Sequence, residues 1–337
     1  MIITTAAVSR LDSKGIVVPI EEGNLGAQRC ARIVAACHDG VRSRKVSHQG
    51  APVACIVGVH GIGQQVKGPE MLRAVWTPAL LDGIRLAGCK LPADLDFQVA
   101  FYGDLFRPKG KKAFGDPFYT AVDVEPGFES QLLEALWLSA AVVDSSIPGA
   151  DEKTKLRTSA TAQRALNALS RSRFFSDFTE KLIIGFIKQV HLYMTDEGIR
   201  QAAQDRVVAE IDESTRVLIG HSLGSVVAYE ALCAHPEWPV KVFITLGSPL
   251  GIRNLIFDRL RPAPVAGKGR FPRHGIAWTN IADAGDVVAL VKELRPLFES
   301  NLQDQLVHNG SKAHDVSPYL TAQETGRAIG WGLADEH

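Results

Sequence analysis

The chain has no excess of charge of either sign, because 37 basic and 37 acidic residues give its 337 positions a formal net charge of zero. A nucleic-acid partner is therefore not expected, since binding to phosphates requires a surplus of Lys and Arg. Cysteine is scarce, with five residues at irregular spacing, which argues against a disulfide framework and favours a reducing compartment. No apolar run reaches the roughly 18 residues of a membrane span, so no integral membrane segment is expected.

The sequence also lacks the usual motifs for export, metal binding and nucleotide binding. Its start, Met1-Ile2-Ile3-Thr4-Thr5, has neither the basic n-region nor the long apolar segment of a secretory signal, and this predicts a cytoplasmic location. Neither H-E-x-x-H nor C-x-x-C occurs, so no metal and no cofactor is expected. Gly61-Ile62-Gly63 follows a predicted strand, but Val66 stands where a dinucleotide-binding fingerprint requires its third glycine.

The residues that are present alternate between strand and helix patterns. With 46% hydrophobic and 22% charged residues, the chain can bury a substantial core. Short apolar runs predict strands at 54–59, 97–102, 216–219, 240–246, 276–281 and 305–307, and helical patterns occur at 69–89, 196–211 and 225–232. This alternation predicts an α/β fold with a mostly parallel central sheet flanked by helices.

One predicted strand-to-helix junction carries the pentapeptide Gly220-His221-Ser222-Leu223-Gly224. A serine on such a sharp turn exposes its hydroxyl, and glycines two positions to either side leave room where a Cβ atom would clash with the neighbouring strand and helix. The pattern G-x-S-x-G also occurs by chance, but here the flanking strand and helix supply the context that the motif needs. Ser222 is therefore the candidate nucleophile, and His221 is assigned to packing.

A nucleophile elbow predicts an acid and then a histidine further along the chain. Asp283 and Asp286 both follow the predicted strand at 276–281, and we expect Asp286 to be the acid, with Asp283 as the alternative. Either carboxylate could instead belong to the first turn of a helix that begins there. His314 lies in a loop beyond the last strand and is the candidate base, whereas His308 lies in the strand region and is the alternative.

These motifs make the chain resemble an α/β-hydrolase, and among those the bacterial lipase-like and esterase-like members. The similarity covers residues from about 54 to 330 and implies that backbone N–H groups of Leu223 and of Ile62, or else of Gly61, bind a developing oxyanion. The segments that carry the resemblance are His60-Gly61-Ile62-Gly63, which is similar to the His-Gly oxyanion loop of lipases, the elbow, Leu246-Gly247-Ser248-Pro249, residues 278–288, and Ala313-His314 with the following Tyr319.

The resemblance implies a serine hydrolase that acts on carboxylic esters or thioesters. Ser222 would attack the carbonyl carbon, His314 would accept the proton and return it, and Asp286 would hold the imidazole. The expected partner is a small-molecule or lipid-like acyl substrate. A serine peptidase, an acyltransferase and a catalytically silent binding module remain alternatives, and the sequence leaves the oligomeric state open.

Domain boundaries follow from the length of the connections. Residues 1–50 are expected to be an N-terminal appendage or, at 16–20, an edge strand of the sheet, and residues 51–337 the α/β-hydrolase domain. The connection from the oxyanion loop to the elbow is longer than two βαβ units require. The additional residues indicate a helical cap insertion at about 104–195. An apolar stripe within it predicts an acyl pocket that includes Phe186 and Ile187, the alternative being that the stripe is ordinary core. The stripe consists of Leu182, Ile183, Phe186, Ile187 and Val190.

Overall fold

The computed structural model describes residues 9–11, 17–19, 55–92, 94–107, 119–149, 158–171, 180–298 and 301–334. The chain divides into two compact units, residues 1–51 and 52–337. In the first unit, β1 (Ser9–Leu11) pairs antiparallel with β2 (Val17–Pro19). The prediction of an edge strand of the central sheet at 16–20 is therefore wrong, because β2 pairs with β1 in a separate two-stranded sheet. The rest of the predicted appendage lies outside the described residues.

The second unit is built on a six-stranded sheet in which all neighbouring strands are parallel. Its strands lie in the order β4-β3-β5-β6-β7-β8. They are β3 (Cys55–Val59), β4 (Asp96–Ala100), β5 (Thr215–His221), β6 (Val242–Leu246), β7 (Ala277–Asp283) and β8 (Leu302–Val307). Every predicted strand is present within a few residues of its expected bounds, which confirms the α/β class and the parallel sheet.

Helices cover this sheet on both faces. In chain order they are α1 (Pro69–Leu86), α2 (Phe128–Val143), α3 (Ser159–Arg171), α4 (Glu180–Thr195), α5 (Glu197–Glu210), α6 (Leu223–Ala234), α7 (Val316–Thr321) and α8 (Gln323–Leu333). Short 3₁₀ turns lie at Gly103–Phe106, Ala121–Asp123, Phe257–Arg259 and Gly310–Lys312. Among the described residues, none of the helices is both long and apolar enough to cross a membrane.

Alternate residues of the strands enter two apolar cores, because successive side chains of a strand point to opposite faces. Ile56, Val217 and Ile219 pack with α1, α7 and α8 on one face. Val57 and Leu218 pack with α5, α6 and the helices α2 to α4 on the other. Both faces are buried, as an all-parallel sheet requires, and the strands therefore read as nearly continuous apolar runs.

The strand order creates a crevice at the carboxyl ends of β3 and β5. From β3 the chain crosses through α1 to β4 on one side of the sheet, and it then returns to β5 on the other side. The loops that leave β3 and β5 therefore run in opposite directions, and open α/β sheets bind their ligands at such a point. Residues 60–68 follow β3 and Ser222 follows β5, so this crevice is where two of the sequence motifs meet.

The region expected to be a helical insertion contains α2, α3 and α4. Their apolar faces pack together and join the core that covers the α6 side of the sheet. Residues 108–118, 150–157 and 172–179, which belong to the same predicted insertion, lie outside the described residues. In α4 the side chains of Ile183, Ile187 and Val190 are buried in this core, so for these three positions the interpretation as ordinary core is correct.

Candidate active site

Ser222 lies on the sharp turn between β5 and α6. Its φ of 53° and ψ of −130° fall in a region that residues with a side chain seldom occupy and that is strained by about 1–3 kcal/mol. Its backbone N–H donates to the carbonyl oxygen of Leu246 at 2.9 Å, which ties the turn to the end of β6. The residue is buried from bulk solvent and lines a cavity.

The two glycines of the elbow are required by close packing. A Cβ atom added to Gly220 would lie 2.5 Å from the Cα of Ser225, and one added to Gly224 would lie 2.2 Å from the carbonyl oxygen of Val59. Neither contact can be relieved by a side-chain movement, because both involve backbone atoms. Gly61 is equally close to the nucleophile, since an added Cβ would lie 2.8 Å from the Cβ of Ser222. The absence of side chains at these glycines thus allows the elbow and the loop after β3 to lie close together.

A chain of hydrogen bonds joins Ser222, His314 and Asp286. The Nε2 atom of His314 lies 3.0 Å from the Oγ of Ser222, and its Nδ1 lies 2.8 Å from Oδ2 of Asp286. An ionised carboxylate can only accept hydrogen bonds, so Nδ1 carries the ring proton and Nε2 is free to accept the hydroxyl hydrogen of the serine. This is the tautomer that a base acting on Ser222 needs.

Asp286 is completely buried, and its two oxygen atoms accept four hydrogen bonds. Oδ1 accepts the backbone N–H groups of Val288 at 2.9 Å and Ala289 at 3.3 Å, while Oδ2 accepts from His314 and from the hydroxyl of Tyr319 at 2.8 Å. Burial by itself raises the pKa of Asp286, but His314, Lys292 and the Tyr319 hydroxyl together lower it to about 2. The carboxylate therefore remains ionised at any pH where the protein would work.

The alternative acid and base lie elsewhere. Asp283 is the last residue of β7, and its carboxylate accepts the backbone N–H groups of Gly285 at 2.6 Å and of Asn309. It shapes two loops and does not contact His314. His308 is exposed just beyond β8. Residues 284–291 form a short turn followed by irregular backbone and not the expected helix, so the backbone N–H groups bound by Asp286 belong to a non-helical segment.

Tyr319 is a member of the site that the sequence did not assign to a role. Its side chain is fully buried, its hydroxyl donates to Asp286 and the same oxygen accepts the backbone N–H of Asp283 at 2.8 Å. The hydroxyl thus holds both the candidate acid and the end of β7. Its position at α7, five residues after His314, was the only available signal, because the contact to Asp286 spans 33 residues of sequence.

His60 fixes the first turn of the loop after β3. Its Nδ1 atom lies 2.5 Å from the carbonyl oxygen of Gly61, and its Nε2 accepts the backbone N–H of Tyr102 at 3.1 Å. Burial is the main reason that the pKa of His60 falls to about 4, so the ring is neutral and donates through Nδ1. Because the Gly61–Ile62 peptide is trans, holding its C=O on one side directs the N–H of Ile62 to the opposite side.

Two of the expected oxyanion donors have no partner. Within the described part of the chain, the backbone N–H groups of Ile62 and Leu223 have no hydrogen-bond acceptor. Leu223 is the first residue of α6. Its N–H has no acceptor within the helix, because no helical turn precedes it to supply a carbonyl oxygen. Both residues adjoin the contact between Gly61 and Ser222, so the donors belong to the two segments that meet at the nucleophile.

His221 supports the loop that carries the candidate base. Its Nε2 donates to the carbonyl oxygen of His314 at 3.0 Å, and the two imidazole rings lie 4.9 Å apart between centroids. Burial, and then the proximity of His314, lowers the pKa of His221 to about 3. The ring of His221 therefore stays neutral. Besides the packing role expected from the sequence, it makes a hydrogen bond that orients the neighbouring His314.

A cavity of about 380 Å³ opens above Ser222 and His314. Leu182, Phe186 and Gln189 of α4 contribute to its wall, so the insertion does cover the serine from one side. Ile187 does not line it and is fully buried in the core, because it lies on the opposite face of α4. Of the two predicted pocket residues, Phe186 reaches the cavity and Ile187 does not. The remaining apolar lining comes from Ile62, Leu72, Val75, Trp76, Phe106, Tyr119, Leu192 and Val316.

One group of side chains could in principle hold a metal ion, although no sequence motif indicated it. Candidate ligand atoms of Glu125, Glu129 and His191 lie within 4.8 Å of one another. The ammonium group of Lys188 already binds there, at 2.8 Å from Glu129 and 3.3 Å from Glu125. This lysine supplies the positive charge that the buried Glu129 requires, and the group is best described as an ion-pair network that joins α2 to α4.

We compared the chain with models of protein families, with curated proteins and with solved structures, and none of the three comparisons gives a match. A function for this protein can therefore be proposed only from its sequence and from the geometry of the site.

Proposed function

We propose that the protein is a serine hydrolase of the α/β-hydrolase type that cleaves carboxylic esters or thioesters. The observation that carries this proposal is the continuous hydrogen-bonded series from Asp286 through His314 to Ser222 at the floor of a cavity. A binding protein has no need for a strained serine aligned with a histidine whose tautomer is fixed by a buried carboxylate. A hydrolase needs each of these features.

In the first half-reaction, the Oγ of Ser222 attacks the carbonyl carbon of the substrate while Nε2 of His314 takes the hydroxyl proton. The carbonyl π electrons move to oxygen, and the N–H groups of Ile62 and Leu223 bind the resulting oxyanion. Collapse of this intermediate expels the alkoxide or thiolate, which receives the proton from His314. Asp286 stabilises the transient imidazolium and does not itself take the proton.

The second half-reaction repeats these steps with water. His314 removes a proton from the water molecule, whose oxygen attacks the acyl carbon of the ester formed on Ser222. The second oxyanion binds to the same two N–H groups, and its collapse releases the carboxylic acid and returns the proton to Ser222. No step requires a metal or an organic cofactor.

The cavity favours an apolar acyl group as substrate. Its volume of about 380 Å³ lies within the range of small-molecule sites, and ten aliphatic or aromatic side chains contribute to its lining. Each methylene group that such walls remove from water contributes about 0.8 kcal/mol, so affinity for the transition state should rise with acyl length until the cavity is full. This lining is also the observation that favours esters over the extended peptides that a peptidase must bind.

A fluorophosphonate probe tests the proposal directly, because only a hydroxyl activated by a base adds to phosphorus at neutral pH. We expect one equivalent of probe on Ser222 of the wild-type protein and none on Ser222→Ala. Ser248 is the matched control, since it is another buried serine after a strand, with its Oγ bonded to the Oγ of Ser225 at 2.6 Å. Ser248→Ala should label like the wild type.

Labelling that persists in Ser222→Ala, or a wild-type protein that does not react, contradicts the proposed function. A panel of p-nitrophenyl esters of two to twelve carbons and a peptide library then distinguish the substrate classes. Turnover of esters without peptide cleavage supports the proposal. Efficient cleavage of peptides, with poor turnover of esters, would favour the serine peptidase.

A further inference from the structure

Gln189 is a buried amide on the helix that forms one wall of the cavity. The residue is only 8% exposed, and it lies on α4 between residues of the apolar core. Its Oε1 accepts the backbone N–H of Gly63 at 3.0 Å, and its Nε2 donates to Oε1 of Gln65 at 3.3 Å. Both of its polar atoms are therefore used to hold the loop after β3, more than 120 residues away in sequence.

The hydrogen bond to Gly63 fixes one of the two peptide groups that flank Ile62. The N–H of the Ile62–Gly63 peptide binds Gln189, and its C=O accepts from Nε2 of Gln64 at 3.1 Å. The preceding peptide is held through its C=O by His60. Since two planar peptide groups define the backbone dihedral angles of the residue between them, these contacts together fix the direction of the Ile62 N–H.

The helix that carries Gln189 is itself firmly anchored. Next to Gln189 on the helix, Lys188 and His191 bind the buried carboxylate of Glu129 at 2.8 Å and 2.7 Å. The hydroxyl of Tyr193 donates to the buried carboxylate of Glu230 in α6 at 2.7 Å. A side chain can hold another group in place only if its own helix is fixed. These contacts fix α4 to both α2 and α6.

We propose that Gln189 is a positioning residue for the oxyanion site, so that helix α4 of the insertion is an integral part of the catalytic unit. The proposal rests on the proposed function, because it concerns how that same site is held. It differs from the expectation that the insertion acts only as a cap over the serine. A cap controls access to Ser222, whereas Gln189 sets the position of a donor that acts on the transition state.

The effect of losing this contact can be bounded. Removal of one oxyanion donor typically lowers kcat by about 10² to 10³-fold. Without Gln189 the Ile62 N–H remains present but is less well positioned, so the expected loss is smaller, roughly tenfold to hundredfold. Because the donor binds the oxyanion and not the ground-state ester, the loss should fall on kcat and leave KM within about twofold.

The test compares Gln189→Leu, which keeps the size of the side chain but removes both hydrogen bonds, with Gln189→Glu, which keeps an oxygen acceptor for Gly63. Gln201→Leu is the control, because it makes the same change at an exposed position on α5. We measure the rate constant of fluorophosphonate addition, kcat and KM for acetate and octanoate esters, and the melting temperature. Ser222→Ala is included as the unreactive reference.

We expect Gln189→Leu to label fully at Ser222 but at least tenfold more slowly, with an equal loss of kcat for both esters. Gln189→Glu should recover most of the rate, and Gln201→Leu should match the wild type. Labelling of Gln189→Leu at the wild-type rate overturns the proposal, as does a loss confined to KM for the octanoate ester. If Gln189→Leu does not fold, Gln189→Met decides, because it also removes the acceptor for the Gly63 N–H. Slower labelling of that variant supports the proposal, and an unchanged rate refutes it. A wild-type protein that never reacts instead refutes the proposed function.

Discussion

The most decisive perturbation of the site is Asp286→Asn, whose consequence follows from the four hydrogen bonds of the carboxylate. Oδ1 must remain an oxygen, because it accepts backbone N–H groups of Val288 and Ala289. The amide nitrogen of an asparagine would therefore face His314 and Tyr319. As a donor it would bind Nδ1 of the imidazole, move the ring proton to Nε2 and leave no acceptor for the hydroxyl of Ser222.

The expected magnitude is large because the wrong tautomer cannot act as a base. In the Ser-His-Asp template this change lowers kcat by roughly 10⁴-fold, which corresponds to about 5.5 kcal/mol of activation free energy. We expect a similar loss in kcat for p-nitrophenyl esters and in the rate of fluorophosphonate labelling. Because the pKa of Asp286 is held near 2, the wild-type carboxylate stays ionised at neutral pH, where the rates of the wild type and of Asp286→Asn are compared.

Asp283→Asn provides the matched comparison, since this residue is equally buried and belongs to the same turn region. Its carboxylate binds the backbone N–H groups of Gly285 and Asn309 and makes no contact with His314. The variant should lose stability but keep kcat within about threefold per folded molecule. If Asp283→Asn loses more activity than Asp286→Asn while both keep their circular dichroism, our assignment of the acid is refuted.

The cavity wall, the two buried histidines and the elbow glycine can each be tested separately. Leu182→Ser, at the cavity wall, should lower kcat/KM for octanoate relative to acetate esters by roughly fivefold, or about 1 kcal/mol. Ile187→Asn, in the core, should mainly lower the melting temperature. Equal effects of Leu182→Ser on both esters would contradict the assignment of Leu182 to the acyl pocket. The pKa values of His60 and His221 are lowered to about 4 and 3, so the unfolded chain gains protons below pH 6.5 before the folded protein does. Acid should therefore destabilise the fold, with about 2–3 kcal/mol from His60 between pH 7.5 and 4.5, and denaturant unfolding that is equally stable at both pH values would refute it. Gly224→Ala should lower the free energy of unfolding by at least 1–3 kcal/mol, because the new Cβ meets a backbone carbonyl at 2.2 Å, and an unchanged denaturation midpoint would exclude that clash.

The sequence predicted the parts of this protein that depend on local patterns. Apolar runs located all six strands of the central sheet, because a buried parallel strand is apolar on both faces. The elbow was recognisable because the requirement for glycine at 220 and 224 is encoded within five residues. The order of acid and base along the chain then limited the acid to Asp286 or Asp283 and the base to His314 or His308. The structure brings the preferred pair, Asp286 and His314, to Ser222.

Features that depend on long-range contacts could not be predicted in this way. The periodicity of α4 identified an apolar stripe, but it could not tell which side faces the cavity, and the stripe with Ile187 proved to be the core side. The role of Gln189 depends on a loop 126 residues away. The segment after Asp286, where a helix is expected, is not helical, because in this segment side-chain and tertiary contacts outweigh the weak helical preference of the sequence.

The arrangement around Ser222 also concentrates features that ordinarily lower stability. The serine has a positive φ, Asp286 is a fully buried charge, and two N–H groups beside the nucleophile have no acceptor in the described part of the chain. Strain of this kind persists only where the surroundings determine the conformation from several sides, and here glycine contacts, the Tyr319 hydroxyl and the amide of Gln189 do so. A protein selected for stability alone would relax each of these costs with a single substitution, such as glycine at position 222. The proposed reaction accounts for their occurrence together at one cavity. The strained turn presents the hydroxyl, and the buried charge fixes the imidazole. The two N–H groups gain their acceptor only when the oxyanion forms.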